Sequence, residues 1–221
     1  MIKLCIFDLD GTVLDTIHTI AYYANFALEK NGIEPIPTNE YKKLAGTGIV
    51  NLVKNMLNFR GCYSEENFNN VFHDYDTAYN QNTSYKTEIF DGLKEILDRL
   101  KADGKKLAVI SNKPDYAVNE VVKQTYGDGY FEFVSGQRVG YPLKPDPTLV
   151  LELIKNMGLE KEECVFVGDT SVDMITGKNA ELYTIGVLWG FREKDELVEN
   201  GADATASTAI DLYNEITYYN R

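Results

Sequence analysis

The chain has 221 residues, with 34 Asp and Glu against 22 Lys and Arg, a formal charge of −12; this excludes a partner bound through a phosphate backbone, because such binding needs clustered cations. That length suits one large domain, or a core domain with a smaller insert, and the widely spaced Cys5, Cys62 and Cys164 form no CxxC pair, so they read as free thiols of a reducing compartment. Neither a run of about eighteen apolar residues nor a basic segment leading an apolar stretch occurs, so no membrane span or signal peptide is predicted and a cytoplasmic location is expected.

The first predicted element is a strand over 2–7, followed at once by Asp8, Leu9, Asp10, Gly11 and Thr12. Asp10 and Gly11 after an apolar run are also a hairpin signal, which alone would make both acids turn residues. From residue 13 to 88 no further strand is predicted, although a crossover between parallel strands needs only about a dozen residues. An all-helical second domain over 15–85 is therefore expected. Its helices are predicted over 17–30, 38–44, 49–59 and 64–80, the last opened by Ser64 ahead of the acidic pair Glu65 and Glu66. The aromatic residues Tyr22, Tyr23 and Phe26 read as core of this insert, while His18 and His73, without a partner motif, read as surface or boundary residues. Ala45, Gly46, Thr47 and Gly48 form either a flexible loop able to approach a ligand or a plain interhelical turn.

The core domain is then 1–14 together with 86–221. A helix over 93–102 puts Leu93, Ile96, Leu97 and Leu100 on one face and stops before Gly104. Strands follow over 107–110, 131–134, 165–167 and 184–188, with a weaker one over 202–206. Between them Asp146 caps a helix over 149–157, with Pro147 at its first position and Gly158 at its end. Short apolar runs without alternation, separated by helices, predict a Rossmann-like open parallel sheet in an α/β fold.

In such a sheet ligands bind beyond the carboxyl ends of the strands. Four strand ends carry chemistry: Asp8 and Asp10; Ser111, Asn112 and Lys113; Lys144 and Pro145; and Gly168 to Asp173 with Asp169 between. Clustered carboxylates repel one another unless a cation joins them, and all-oxygen ligation favours Mg2+. Each group also has a plain structural reading. Ser111 and Asn112 could cap a helix, Lys144 could be solvated, and Asp169 and Asp173 could serve a helix N-terminus. Against solvation, Pro145 biases Lys144 to an extended conformation beside a helix start.

The motifs DLDGT at 8–12, Ser111 with Asn112, Lys144 with Pro145, and GDTSVD at 168–173 occur in an order that resembles the haloacid dehalogenase superfamily, in its phosphatase branch with a helical cap after the first strand. The resemblance implies that Asp8 is a nucleophile attacking phosphorus, and that Asp10 is a general acid and base whose backbone carbonyl binds Mg2+. It implies that Ser111 and the Asn112 amide hold the phosphoryl group, with Lys144 neutralising its charge and tethering Asp8. Asp169 becomes a direct Mg2+ ligand, and Asp173 acts directly, through water, or by orienting Lys144. Thr12 and Lys113 become supports, and Thr47 a substrate contact. An Asp at position 10 fits a phosphomonoesterase rather than a dehalogenase or a P-type ATPase. The family usually has Gly after Ala180, where this chain has Glu181, which leaves the helix end open.

The stretches 186–192 and 201–203 resemble phosphoglycolate phosphatases and related pyrophosphatases; 189–192 reads either as a loop beside the site or, in preference, as packing of the core domain. The expected activity is hydrolysis of a small phosphorylated metabolite, phosphoglycolate first. An inorganic pyrophosphatase is the nearest rival. A β-phosphoglucomutase-like mutase ranks below it, for want of that group's histidine pattern in the first insert helix. A non-enzymatic regulator is disfavoured because all the chemical groups are present. No nucleic acid or membrane partner is expected, and a monomer and a homodimer stay equally open.

Overall fold

The predicted apolar runs become six parallel strands in the computed structural model, which describes residues 1–218. They are β1 (Leu4–Phe7), β2 (Lys106–Pro114), β3 (Phe133–Gln137), β4 (Cys164–Gly168), β5 (Tyr183–Val187) and β6 (Ala204–Ala206), in the order β3-β2-β1-β4-β5-β6. The order reverses at β1, which pairs with β2 on one side and β4 on the other. Successive side chains of a strand face opposite ways, and β1 divides accordingly. Cys5 and Phe7 enter one apolar layer, while Leu4 and Ile6 enter the other. All four are fully buried, which is why the run shows no alternation.

Two strands depart from expectation. β3 lies at 133–137 rather than 131–134, because Phe131 turns into an aromatic cluster, its ring centroid 5.2 Å from that of Tyr126 and 5.1 Å from that of Tyr130. β2 runs on through Ser111, Asn112 and Lys113, with a register shift against β3 between Ile110 and Pro114. The site residues expected after this strand therefore lie within its irregular end.

Four helices occupy the long interval after β1: α1 (Ile17–Lys30), α2 (Tyr41–Leu44, entered by a 3-10 turn at Thr38–Glu40), α3 (Ile49–Phe59) and α4 (Glu65–Tyr79). They enclose a separate apolar cluster that includes Leu28, Tyr41, Met56, Leu57 and Val71. Ser64 accepts the Asn67 amide at 3.0 Å, as its position before the acidic turn predicts. The aromatic stripe of α1 splits. Tyr23 is buried in the cluster, whereas Tyr22 and Phe26 are exposed, because residues four apart share a helix face that the intervening one does not. The chain enters and leaves this helical unit side by side, with Asp15 and Glu88 exchanging backbone hydrogen bonds at 2.8 and 3.2 Å.

The remaining helices cover the sheet: α5 (Leu93–Ala102), α6 (Asp115–Tyr126), α7 (Thr148–Met157), α8 (Ser171–Asn179), α9 (Lys194–Glu199) and α10 (Ala209–Tyr218). Pro147 stands one residue before α7 rather than in its first turn, and Asp146 accepts the Thr148 amide at 2.9 Å. α8 ends through Glu181, whose φ of +61° is left-handed, with the Leu182 amide bonding back to Gly177 O at 2.9 Å. This is the turn in which glycine is favoured. Among the described residues no helix is long and apolar enough to cross a membrane.

Candidate active site

β1 is central, so its carboxyl end delivers Asp8 into the crevice where strand order reverses. The Asp8 amide still donates to Val167 O of β4 at 2.9 Å, which fixes the backbone while the side chain points away from the ladder. Asp8, Asp169 and Asp173 place carboxylate oxygens within 4.8 Å of one another, and all three residues are buried. Lys144 joins them, its Nζ 2.8 Å from Asp8 Oδ1 and 2.6 Å from Asp173 Oδ1. Asp8 Oδ1 is held by this ion pair alone and accepts no well-aligned hydrogen bond.

Burial is the dominant influence on these groups. It pushes Asp8 up to about 7, against the pull of Lys144 and with the repulsion of Asp173 adding to it. Burial and the charges of Asp173 and Asp8 likewise lift Asp169 well above the usual carboxylate range. For Lys144 burial opposes the charge, but Asp173 and Asp8 together hold its pKa above the ordinary value. Counting Asp10 and Lys113, four carboxyl groups face only two ammonium groups. The imbalance and the all-oxygen donor set suit a hard divalent cation.

The acids are not equivalent. Asp173 has both oxygens engaged: Oδ1 by Lys144, and Oδ2 by the Thr170 amide at 3.1 Å and the Thr170 hydroxyl at 2.7 Å. It thus caps α8 and orients Lys144 at once. Asp169 accepts the Thr12 hydroxyl on Oδ1 at 2.8 Å and the Phe191 amide on Oδ2 at 2.7 Å. Gly11, at φ +86°, lets the chain pass close by, since a Cβ there would lie 2.2 Å from Asp169 Oδ2. The Asp10 carboxylate lies apart from the three-carboxylate cluster, paired with Lys113 Nζ at 2.7 Å.

Ser111 is buried and lines the same cavity as Asp8 and Asp10. The Asn112 side chain is spent on scaffolding: Oδ1 accepts the Lys144 amide at 2.8 Å, and Nδ2 donates to Lys144 O at 3.0 Å and to Gly46 O of the helical unit at 3.3 Å. The cavity holds about 50 Å3, room for a few water-sized groups. Its far wall comes from the helical unit, where Gly46 and Gly48 line it and Thr47 between them does not. Ile20, Leu52, Tyr75 and Tyr79 add to that wall, and the Lys113 ammonium sits 5.1 Å from the centre of the Tyr79 ring. None of these four carries a sequence signal that separates it from ordinary helix core. Phe191 and Arg192 also bear on the site, whereas the preferred expectation for them is packing within the core domain rather than a loop beside the site. The structure corrects this: Phe191 joins the apolar cluster of α1–α4, and Arg192 hydrogen-bonds the backbone there.

The family profile of haloacid dehalogenase-like hydrolases matches residues 5–187, a span that includes every acid of the cluster. A curated phosphoglycolate phosphatase of Aquifex aeolicus is 32% identical over 95% of this chain and 94% of its own length. A solved structure from Lactobacillus delbrueckii subsp. bulgaricus, provisionally named a phosphoglycolate phosphatase, superposes with a TM-score of 0.91 at 31% identity, covering 97% of this chain and 98% of that one. A structure from Thermotoga maritima, provisionally named a β-phosphoglucomutase, shares the fold at a TM-score of 0.71 and 21% identity, over 97% of this chain and 96% of the other. With the motif order, the strand order and the carboxylate cluster in agreement, the chain belongs to the haloacid dehalogenase-like hydrolases.

Proposed function

We propose that the chain is a Mg2+-dependent phosphatase that hydrolyses a small phosphorylated metabolite through an aspartyl phosphate on Asp8, with phosphoglycolate the first substrate to test. The observation that carries this is the buried chain Asp8, Lys144 and Asp173, whose Asp8 lines one cavity together with the ion-paired Asp10 and Lys113. Asp8 Oδ1 is held only by the Lys144 ion pair, which leaves this carboxylate to attack, and Asp10 is placed apart from the acid cluster to move a proton.

The donor set fits the metal. Asp8 and Asp169, with the backbone carbonyl of Asp10, would hold Mg2+, and Asp173 would serve by fixing Lys144. When bound, Mg2+ would screen the carboxylates from one another and draw charge from a phosphoryl oxygen. The chain's own groups do the rest. An Asp8 oxygen attacks phosphorus and the bond from phosphorus to the ester oxygen breaks, while Asp10 gives its proton to the departing alcohol. Asp10 then takes a proton from water, whose oxygen attacks the same phosphorus and releases Asp8 and inorganic phosphate. Lys144 favours the ionised Asp8 that attacks in the first step and departs in the second, and Ser111 and the Asn112 amide are the donors for phosphoryl oxygens. Lys113 holds Asp10 in place between its two tasks.

The segment 15–85 acts as a cap over 1–14 and 86–221, and its apolar and aromatic wall excludes water from all but the cavity. The small cavity and the name of the Aquifex aeolicus relative both favour a short phosphate ester. The cytoplasm is the proposed compartment, in keeping with the free Cys5, Cys62 and Cys164.

Phosphate release from p-nitrophenyl phosphate with Mg2+, followed by a panel of phosphorylated metabolites and pyrophosphate, tests the reading. Asp8→Asn is expected to abolish turnover, and a variant as active as the parent would sink the mechanism.

A further inference from the structure

The loop between β5 and α9 touches the site on one side and the helical cap on the other. Its Phe191 side chain is buried in the cap's apolar cluster. The Arg192 guanidinium donates to Lys42 O and, at 3.2 Å, to Ala45 O. Lys42 reciprocates, its Nζ donating to Gly190 O at 3.2 Å, and Glu196 of α9 braces Arg192 Nε at 3.2 Å. On the other side the Phe191 amide donates to Asp169 Oδ2 at 2.7 Å. There is no slack in this connection, because a Cβ at Gly190 would lie 2.3 Å from Asp169 Cβ and 2.5 Å from Gly11 O.

We propose that Phe191 and Arg192 are positioning residues that couple the docking of the cap to the orientation of Asp169. When the cap lifts to admit a substrate, Arg192 loses two acceptors and Phe191 loses its apolar surroundings. The loop carrying the Phe191 amide is released with them, and Asp169 Oδ2 loses the donor that orients it. Closure of the cap and assembly of the carboxylate set are then one event. A guanidinium suits this task, since its forked donors reach two carbonyls at once where an ammonium is a single point of charge. The inference rests on the phosphatase reading only in treating Asp169 as a Mg2+ ligand.

The test uses the full chain without substrate, as Arg192→Ala, Arg192→Lys and Lys42→Met. Hydrogen exchange is followed at the Phe191 amide and at the Ala45 and Leu52 amides, which bond to Tyr41 O and Gly48 O at 3.0 Å each. In Arg192→Ala all three are expected to exchange at least tenfold faster, with the β4 amides unchanged. The Mg2+ dissociation constant is expected to rise by about two- to thirtyfold. Arg192→Lys recovers part of each effect. Lys42→Met, acting from the cap, speeds Phe191 exchange less but in the same direction, and it keeps the test decisive if Arg192→Ala fails to fold. Faster exchange at Ala45 and Leu52 with Phe191 unchanged would refute the coupling, and unchanged exchange at all three would refute the latch. Failure of the phosphatase reading appears separately, as a parent protein that releases no phosphate, and leaves the exchange result standing.

Discussion

Lys144→Met removes the ammonium that lies 2.8 Å from Asp8 and 2.6 Å from Asp173 while keeping most of the side-chain volume. Two buried carboxyls are left without their shared cation, and breaking a buried pair from one side costs about 3–5 kcal/mol. For a chain of this size each kcal/mol corresponds to about 2–4 °C in Tm, so a loss of about 6–20 °C is expected at pH 8 in EDTA. The pH dependence identifies the cause. Burial already raises Asp8 from the ordinary carboxylate range to about 7, and a raised folded pKa of an acid means stability that is present below the unfolded value and lost as pH rises through the folded one. Without Lys144 the folded value rises further, so the loss extends to higher pH. At pH 5 Asp8 is neutral in both proteins, and the Met side chain packs without facing an ionised Asp8. The Tm gap between parent and variant should therefore widen from pH 5 to pH 8, read by circular dichroism across that range. A gap independent of pH, or a variant more stable than the parent at pH 8, would refute the account of the ion-paired cluster.

Mg2+ binding must release the protons that burial favours on Asp8 and Asp169, so the apparent affinity is expected to climb with pH, by at most tenfold per pH unit from each group, the share of Asp8 ending near 7. Calorimetric titration from pH 5.5 to 8.5 reads this, and affinity falling with rising pH would contradict it. Glu181→Gly relieves a left-handed φ of +61° at the end of α8 and should stabilise the chain by about 1 kcal/mol; the exposed contact from Lys161 to Glu181 at 3.2 Å is too weak to offset it. Urea denaturation measures the gain, and a destabilised variant would show that the side chain does more than the geometry indicates.

What could be read beforehand follows from where the physical constraint sits. Asp8, Lys144 and Asp169 were legible because strand ends of a parallel sheet converge, so chemistry written after separate apolar runs had to meet. The helical insert was legible from a length that no crossover requires. Phe131 was misplaced because an apolar run does not say whether its first ring faces the sheet or the neighbouring Tyr126 and Tyr130. Tyr22 and Phe26 were misplaced because helix period alone does not tell which face the core will take. Arg192 marks a deeper limit. Its acceptors are backbone carbonyls of Lys42 and Ala45, about 150 positions away, and every residue offers a carbonyl, so no pattern of side chains announces the contact. Thr12 and Asp169, 157 positions apart, were recoverable only because both lie in motifs already tied to strand ends. Groups that act through side-chain chemistry at a sheet edge thus leave a trace in the sequence, whereas groups that hold one part of the chain to the backbone of another become visible only once the chain is folded. The wall that α1–α4 lend the cavity and the loop at 189–192 that bonds to them belong to this second kind.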